Sequence, residues 1–117
     1  MNATLPRVEL AREPGGEELL CYSRRDVPLV CVCLELPGGS LLDPPQLPGL
    51  ADLAGDLLEQ GPADCDPGEW RRRTEALAAE IECQTHLDHW SLAFTCLPDD
   101  LPAAADHLAA LLAAPGL

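Results

Sequence analysis

From Cys83 onward the apolar residues recur at every second position, and this change of period constrains the fold more than any other feature of the chain. Cys83, Thr85 and Leu87 alternate with Gln84 and His86. After a turn near Asp88, the residues Trp90, Leu92, Phe94 and Cys96 alternate with Ser91, Ala93 and Thr95. Successive side chains of a strand point to opposite faces, so the pattern predicts an antiparallel hairpin with one buried face. A face of that kind needs a second layer to cover it. The flanking segments supply helices. Leu50, Leu53, Ala54, Leu57 and Leu58 recur at helical spacing, which predicts a helix over 48–60 ended by Gly61-Pro62. Asp66, Pro67 and Glu69 form a helix start, with an N-cap acid, proline at the first helical position and glutamate three residues after the cap. Trp70, Leu77 and Ile81 are expected to form the buried stripe of that second helix. A last helix over 100–113 carries Leu101, Ala104, Ala105, Leu108, Leu111 and Leu112.

The N-terminal part reads as strands. Val8 and Leu10 alternate within 7–12, Pro14-Gly15-Gly16 supplies a turn, and 19–22 returns, giving a hairpin. Val27 to Leu36 is apolar almost throughout and predicts a strand covered on both faces and central in its sheet. The expected architecture is therefore α+β, a β-β-β-α-α-β-β-α layered sandwich, its sheet antiparallel or mixed with the helices on one face. Residues 1–117 are read as one partial domain, with 1–6 as an N-terminal tail.

Charge excludes several functions. Seven arginines and lysines against 20 acids give a net charge of −13, which repels nucleic acid and anionic membrane surfaces. The one basic run, Arg71-Arg72-Arg73, is flanked by Glu69 and Glu75 and is expected to pair along its own helix, Glu69 with Arg73 and Arg71 with Glu75. No apolar stretch approaches the roughly 18 residues of a membrane span, and the first residues lack the pattern of an export signal. A cytoplasmic location is the expectation, with the six cysteines reduced and four of them, in apolar or alternating runs, acting as small buried hydrophobes. Cys65, between Asp64 and Asp66, is expected to be the most exposed thiol.

A buried strand ending in Gly38-Gly39-Ser40, a proline-rich loop and then Pro48-Gly49-Leu50-Ala51-Asp52-Leu53-Ala54-Gly55-Asp56-Leu57-Leu58-Glu59-Gln60-Gly61 resemble the pitrilysin (insulinase-like) metallopeptidase family, over about 7–114. In active members of that family this helix carries the inverted zinc motif H-x-x-E-H, two histidines holding zinc and a glutamate polarising water. Here the histidine positions are Asp52 and Asp56, and the glutamate position is Gly55. The third ligand of the family would fall beyond Leu117. The resemblance therefore implies no catalytic residue and no metal ligand in this chain. It implies a degenerate, non-catalytic domain without a cofactor of its own, zinc belonging to a catalytic homologue with which it holds peptide substrate. The alternatives are a piece of a working zinc metallopeptidase whose ligands lie elsewhere, and a small interaction module. A half-domain leaves a sheet edge or helix face uncovered, so the expected partner is such a homologue or a second copy.

One weak alternative metal cluster remains: Cys83, His86 and His89. On an extended strand Cys83 and His86 point to opposite faces, so only a distorted hairpin would gather all three. His107, between Asp106 and Leu108, is expected at the surface.

Overall fold

The computed structural model describes residues 8–77 and 79–116; the expected tail at 1–6 lies outside them. In chain order the elements are β1 (Val8–Arg12), β2 (Glu18–Tyr22), β3 (Val30–Pro37), a 3-10 turn at Ser40–Leu42, α1 (Leu50–Leu58), α2 (Pro67–Ala76), β4 (Glu80–Thr85), β5 (His89–Cys96), a second 3-10 turn at Pro98–Asp100, and α3 (Leu101–Ala113). This is the α+β order expected from the sequence.

The strands form two antiparallel sheets. β1 and β2 pair alone, with Leu10 opposite Leu20. β3, β5 and β4 form the second sheet in that order. Phe94 lies opposite Val32 on one side and Ile81 on the other, which fixes one face: Val32, Leu34, Leu92, Phe94, Ile81 and Cys83. The helices cover that face. Leu58 of α1, Trp70 of α2 and Ala104, Leu108 and Leu111 of α3 close over Leu92, Phe94 and Cys96. The other face carries Cys31, Cys33, Glu35, Glu82 and Gln84, all exposed.

Three expectations need correction. β3 is an edge strand among the described residues, and the central strand is β5. The apolar run in 27–36 was misleading because Cys31 and Cys33 count as apolar yet face solvent, so burial alternates along the strand. Ile81 belongs to β4, since α2 ends at Ala76. Cys96 is the only fully buried thiol, while Cys21, Cys31 and Cys33 are exposed and Cys65 half-buried.

α2 and α3 are joined by an aromatic contact that the sequence pattern concealed. His107 is not a free surface residue. Its ring stacks on Trp70 with centroids 3.6 Å apart and planes 11° from parallel, and its Nε2 lies 2.8 Å from Thr74 Oγ1. Trp70 is only 4% exposed. The helix beneath it starts as the sequence predicts: the Asp66 carboxylate accepts from Glu69 N–H at 3.0 Å. Glu69 then pairs with Arg73, while no Arg71–Glu75 pair forms among the described residues.

The whole is open for its size. The radius of gyration is 16.2 Å, against about 13 Å for a compact domain of this length. Every described residue of the β1–β2 hairpin is exposed.

Burial, with Arg73 adding to it, holds the His107 imidazole below the usual histidine range. The unfolded chain therefore takes up a proton before the folded one does. The contribution is present above about pH 6.5, the unfolded value, and is lost as pH falls through that value toward the lower folded one. Urea unfolding at pH 7 and pH 5 should show a loss of stability in the wild type that His107→Gln lacks; equal pH dependence in both proteins would refute the assignment.

Candidate functional site

α1 is the segment where a metallopeptidase motif would lie, and its position is set by contacts at both ends. Its approach begins at Gly38 and Gly39, where the chain crosses the β4–β5 turn. Ser40 N–H donates to the His86 carbonyl at 3.0 Å and Leu41 N–H to the Leu87 carbonyl at 2.8 Å. Gly39 has φ 91°, and a Cβ there would lie 2.5 Å from the His86 carbonyl oxygen, so both conformation and space call for glycine. The chain then runs through the proline loop to Asp43, whose carboxylate caps α1 from outside the helix. Asp43 Oδ2 accepts from Gly49 N–H at 2.7 Å and Oδ1 from Ala51 N–H at 2.8 Å. An acid at this end also complements the helix dipole.

The sheet grips the body of the helix. Trp90 Nε1–H donates to the Ala51 carbonyl at 3.2 Å. At the far end Glu59 Oε1 accepts from the backbone N–H of Cys83 at 2.7 Å, which ties the end of α1 to β4. Between these points α1 lies so close that a Cβ built on Gly55 would sit 2.8 Å from Thr85 Oγ1, 3.5 Å from Cys83 Sγ and 3.7 Å from Trp90 Nε1. The first distance is shorter than atoms tolerate without movement. The position at which the resemblance expects a water-activating glutamate is thus the one where the helix lies against the sheet, and a side chain there would require Thr85 to shift.

Asp52 and Asp56 both face solvent, and neither makes a hydrogen bond or ion pair among the described residues. Two carboxylates separated by one turn supply oxygen donors without imidazole or thiolate, a poor match to the nitrogen and sulfur preference of zinc. Gly55 brings no base. The residues present at this helix do not fit a catalytic zinc centre.

The hairpin does not gather Cys83, His86 and His89. Cys83 lies under α1, where burial, followed by the nearby Glu59 and Asp56, pushes its thiol above the usual range and keeps it protonated. The two imidazoles instead stack on each other at the β4–β5 turn, centroids 4.3 Å apart. His89 places Nε2 2.9 Å from Glu35 and Nδ1 2.8 Å from Asp88, and Ser91 Oγ donates to the same Glu35 carboxylate at 3.1 Å. The hydrogen bond from His89 holds the Asp88 carboxyl below the usual range. Among the described residues no three His, Cys, Asp or Glu side chains are placed to hold a metal ion together. Two clefts of about 210 and 260 Å³ flank Trp70, and neither includes Asp52 or Asp56. Both fall below the roughly 300–1,000 Å³ of small-molecule sites.

The profile of the insulinase family, peptidase family M16, matches residues 21–117. A crystal structure of a peptidase M16 inactive domain from Pseudomonas fluorescens has a TM-score of 0.79 to this chain at 24% identity, covering 91% of this chain and 26% of that one. Pitrilysin has a TM-score of 0.77 at 22% identity, covering 97% of this chain and 12% of its own. This chain therefore spans about a quarter and about an eighth of the two similar structures. No curated protein matches it.

The crowding at Gly55 sets the sign of a substitution. In an open helix Gly→Ala stabilises by roughly 0.5–1 kcal/mol. Here Gly55→Ala should destabilise by about 1–3 kcal/mol through overpacking, whereas Asp52→Asn and Asp56→Asn should stay within about 0.5 kcal/mol of wild type. Urea denaturation midpoints decide it, and a Gly55→Ala protein as stable as wild type or more so would show that α1 stands off the sheet. Asp43→Ala should cost about 1–2 kcal/mol, the worth of a helix cap.

Proposed function

The chain belongs to the insulinase family of peptidases, peptidase family M16, and on that premise we propose that it is a non-catalytic member, acting as a structural or substrate-holding partner of a zinc-bearing catalytic homologue in peptide processing. The observation that carries this reading is the contact at Gly55. A hydrolase of this family type needs a carboxylate beside the metal to activate water. Here that position is closed by Thr85 Oγ1 at 2.8 Å from where a Cβ would stand, and the flanking ligand positions hold aspartates turned to solvent.

Further support is chemical. Three thiols are disfavoured as thiolates: burial raises those of Cys83 and Cys96, and burial together with the Glu35 hydrogen bond raises that of Cys33. A protonated thiol is a weak nucleophile and a weak ligand. The similar Pseudomonas fluorescens structure is itself described as an inactive domain. Peptide hydrolysis, in this reading, takes place on the homologue, and this chain contributes surface. Among the described residues no helix is long and apolar enough to cross a membrane.

The test is co-expression with a homologue from the same genome that carries an intact H-x-x-E-H helix. The purified chain alone should show no peptidase activity above buffer, with or without added zinc. The two proteins should co-purify, and chelator-sensitive cleavage of an unfolded peptide should rise at least roughly tenfold when this chain is present. Chelator-sensitive hydrolysis by the chain alone would overturn the reading.

A further inference from the structure

Cys31 and Cys33 stand on either side of Val32 in β3 and take no part in the core. Both are free thiols. Alternation along the strand points both to the face of the sheet opposite the helices. Their spacing is a property of the strand itself, so it holds whatever else packs on that face. Two residues of a strand rise about 6.6 Å together. A disulfide needs Cβ atoms roughly 3.5–4.5 Å apart, which two parallel Cβ bonds at the larger spacing do not supply. Bending the backbone to close the gap would break the ladder, since β3 is in register with β5 from Val30 opposite Cys96 to Pro37 opposite His89. The strand therefore keeps the pair as two thiols.

An ion between the sulfurs has an easier fit. Two metal–thiolate bonds of about 2.3 Å in line span about 4.6 Å, so each sulfur has to lean only about 1 Å toward the other. The residues opposite the pair on β5 are Thr95 and Ala93, both small enough to allow that lean. The thiols already act on one another. Burial holds Cys33 above the usual thiol range, with Glu35 and then Cys31 adding to the effect.

The number of ligands selects the ion. Glu35 follows on the same face, and Cys33 Sγ donates to its Oε1 at 3.5 Å. That carboxylate is already held by His89 Nε2 at 2.9 Å and Ser91 Oγ at 3.1 Å. Among the described residues no third His, Cys, Asp or Glu side chain completes a set around a metal. Two sulfurs do not satisfy zinc, which takes four ligands. They suit a soft cation held by two thiolates in line, and thiolates favour copper(I).

We propose that Cys31 and Cys33 form a two-coordinate site for a soft monovalent cation, of which copper(I) is the biological example. Binding forms two metal–sulfur bonds and breaks two S–H bonds. Both protons pass to solvent and no electrons are transferred, so affinity rises with pH. Such a site is independent of the non-catalytic role above, and either can fail alone.

The experiment titrates the full chain, reduced and under argon, with copper(I) held by a chromogenic chelator. The wild type should withdraw one copper per chain, more tightly as pH rises, and remain a monomer in sedimentation velocity. X-ray absorption at the copper edge should show two sulfur neighbours. Cys31→Ser and Cys33→Ser should each weaken binding at least roughly a hundredfold, the upper end of what losing a mere supporting group costs. Both should keep the wild-type melting temperature, because these side chains lie outside the core. Cys21→Ser/Cys65→Ser should bind within about twofold of wild type, as distant sites act independently. Binding indifferent to Cys31→Ser and Cys33→Ser, three or more sulfur neighbours, or copper-driven dimerisation would overturn the proposal. A Cys31–Cys33 disulfide found by mass spectrometry after exposure to glutathione disulfide would overturn the spacing on which it stands.

Discussion

The structure depends on how closely α1 approaches the sheet. A helix can settle this near two strands only if the residue at the point of contact lacks a Cβ, and Gly55 is that residue, over Thr85, Cys83 and Trp90. The contact is held by the burial of Ala51 and Leu58 together with directed hydrogen bonds: the Asp43 carboxylate at the N-terminal N–H groups, the Trp90 indole at the Ala51 carbonyl, and Glu59 at the Cys83 amide. Backbone groups at both ends of α1 and on β4 are thereby paired. The consequence runs in both directions. The inner side of α1 meets Thr85 at Gly55 and sends Leu58 into the core, while Leu50, Leu53, Leu57, Asp52 and Asp56 are turned outward.

The core is correspondingly small. Its largest fully buried side chains are Leu92, Leu111 and Cys96, lying where α2 and α3 close over β5. Trp70 and His107 seal that junction as a stacked pair, and burial there disfavours the charged imidazole. The β1–β2 hairpin and the outer leucines of α1 lie outside this core and contribute apolar surface without burying it. A chain with this distribution keeps its own fold through β5, α2 and α3.

Much of the fold was legible in the sequence. The alternation in 83–96 and the Asp66-Pro67 helix start gave the correct elements because both signals are local: strand period and an N-cap three residues from its donor. Failures occurred where the deciding contact is distant in sequence. Asp43 caps a helix that starts seven residues later, across a proline loop, and no local pattern announces it. His107 looked like a surface residue because its partner, Trp70, lies on another helix. The run in 27–36 looked central because cysteine scores as apolar, although Cys31 and Cys33 face solvent. At the candidate site the loss of the zinc motif at Asp52, Gly55 and Asp56 was plain in the sequence, but its packing meaning was not. A glycine inside a helical pattern does signal close backbone approach, and that signal was available at Gly55.

The central claim is that α1 packs against the sheet through Gly55 in a way that leaves no place for a metal and its activating carboxylate. Crystals grown with excess zinc and measured at the zinc absorption edge test it most directly. The account predicts no anomalous peak along α1, with Gly55 in contact with Thr85. A peak seated between Asp52 and Asp56, or a gap at Gly55 wide enough for a side chain, would contradict it.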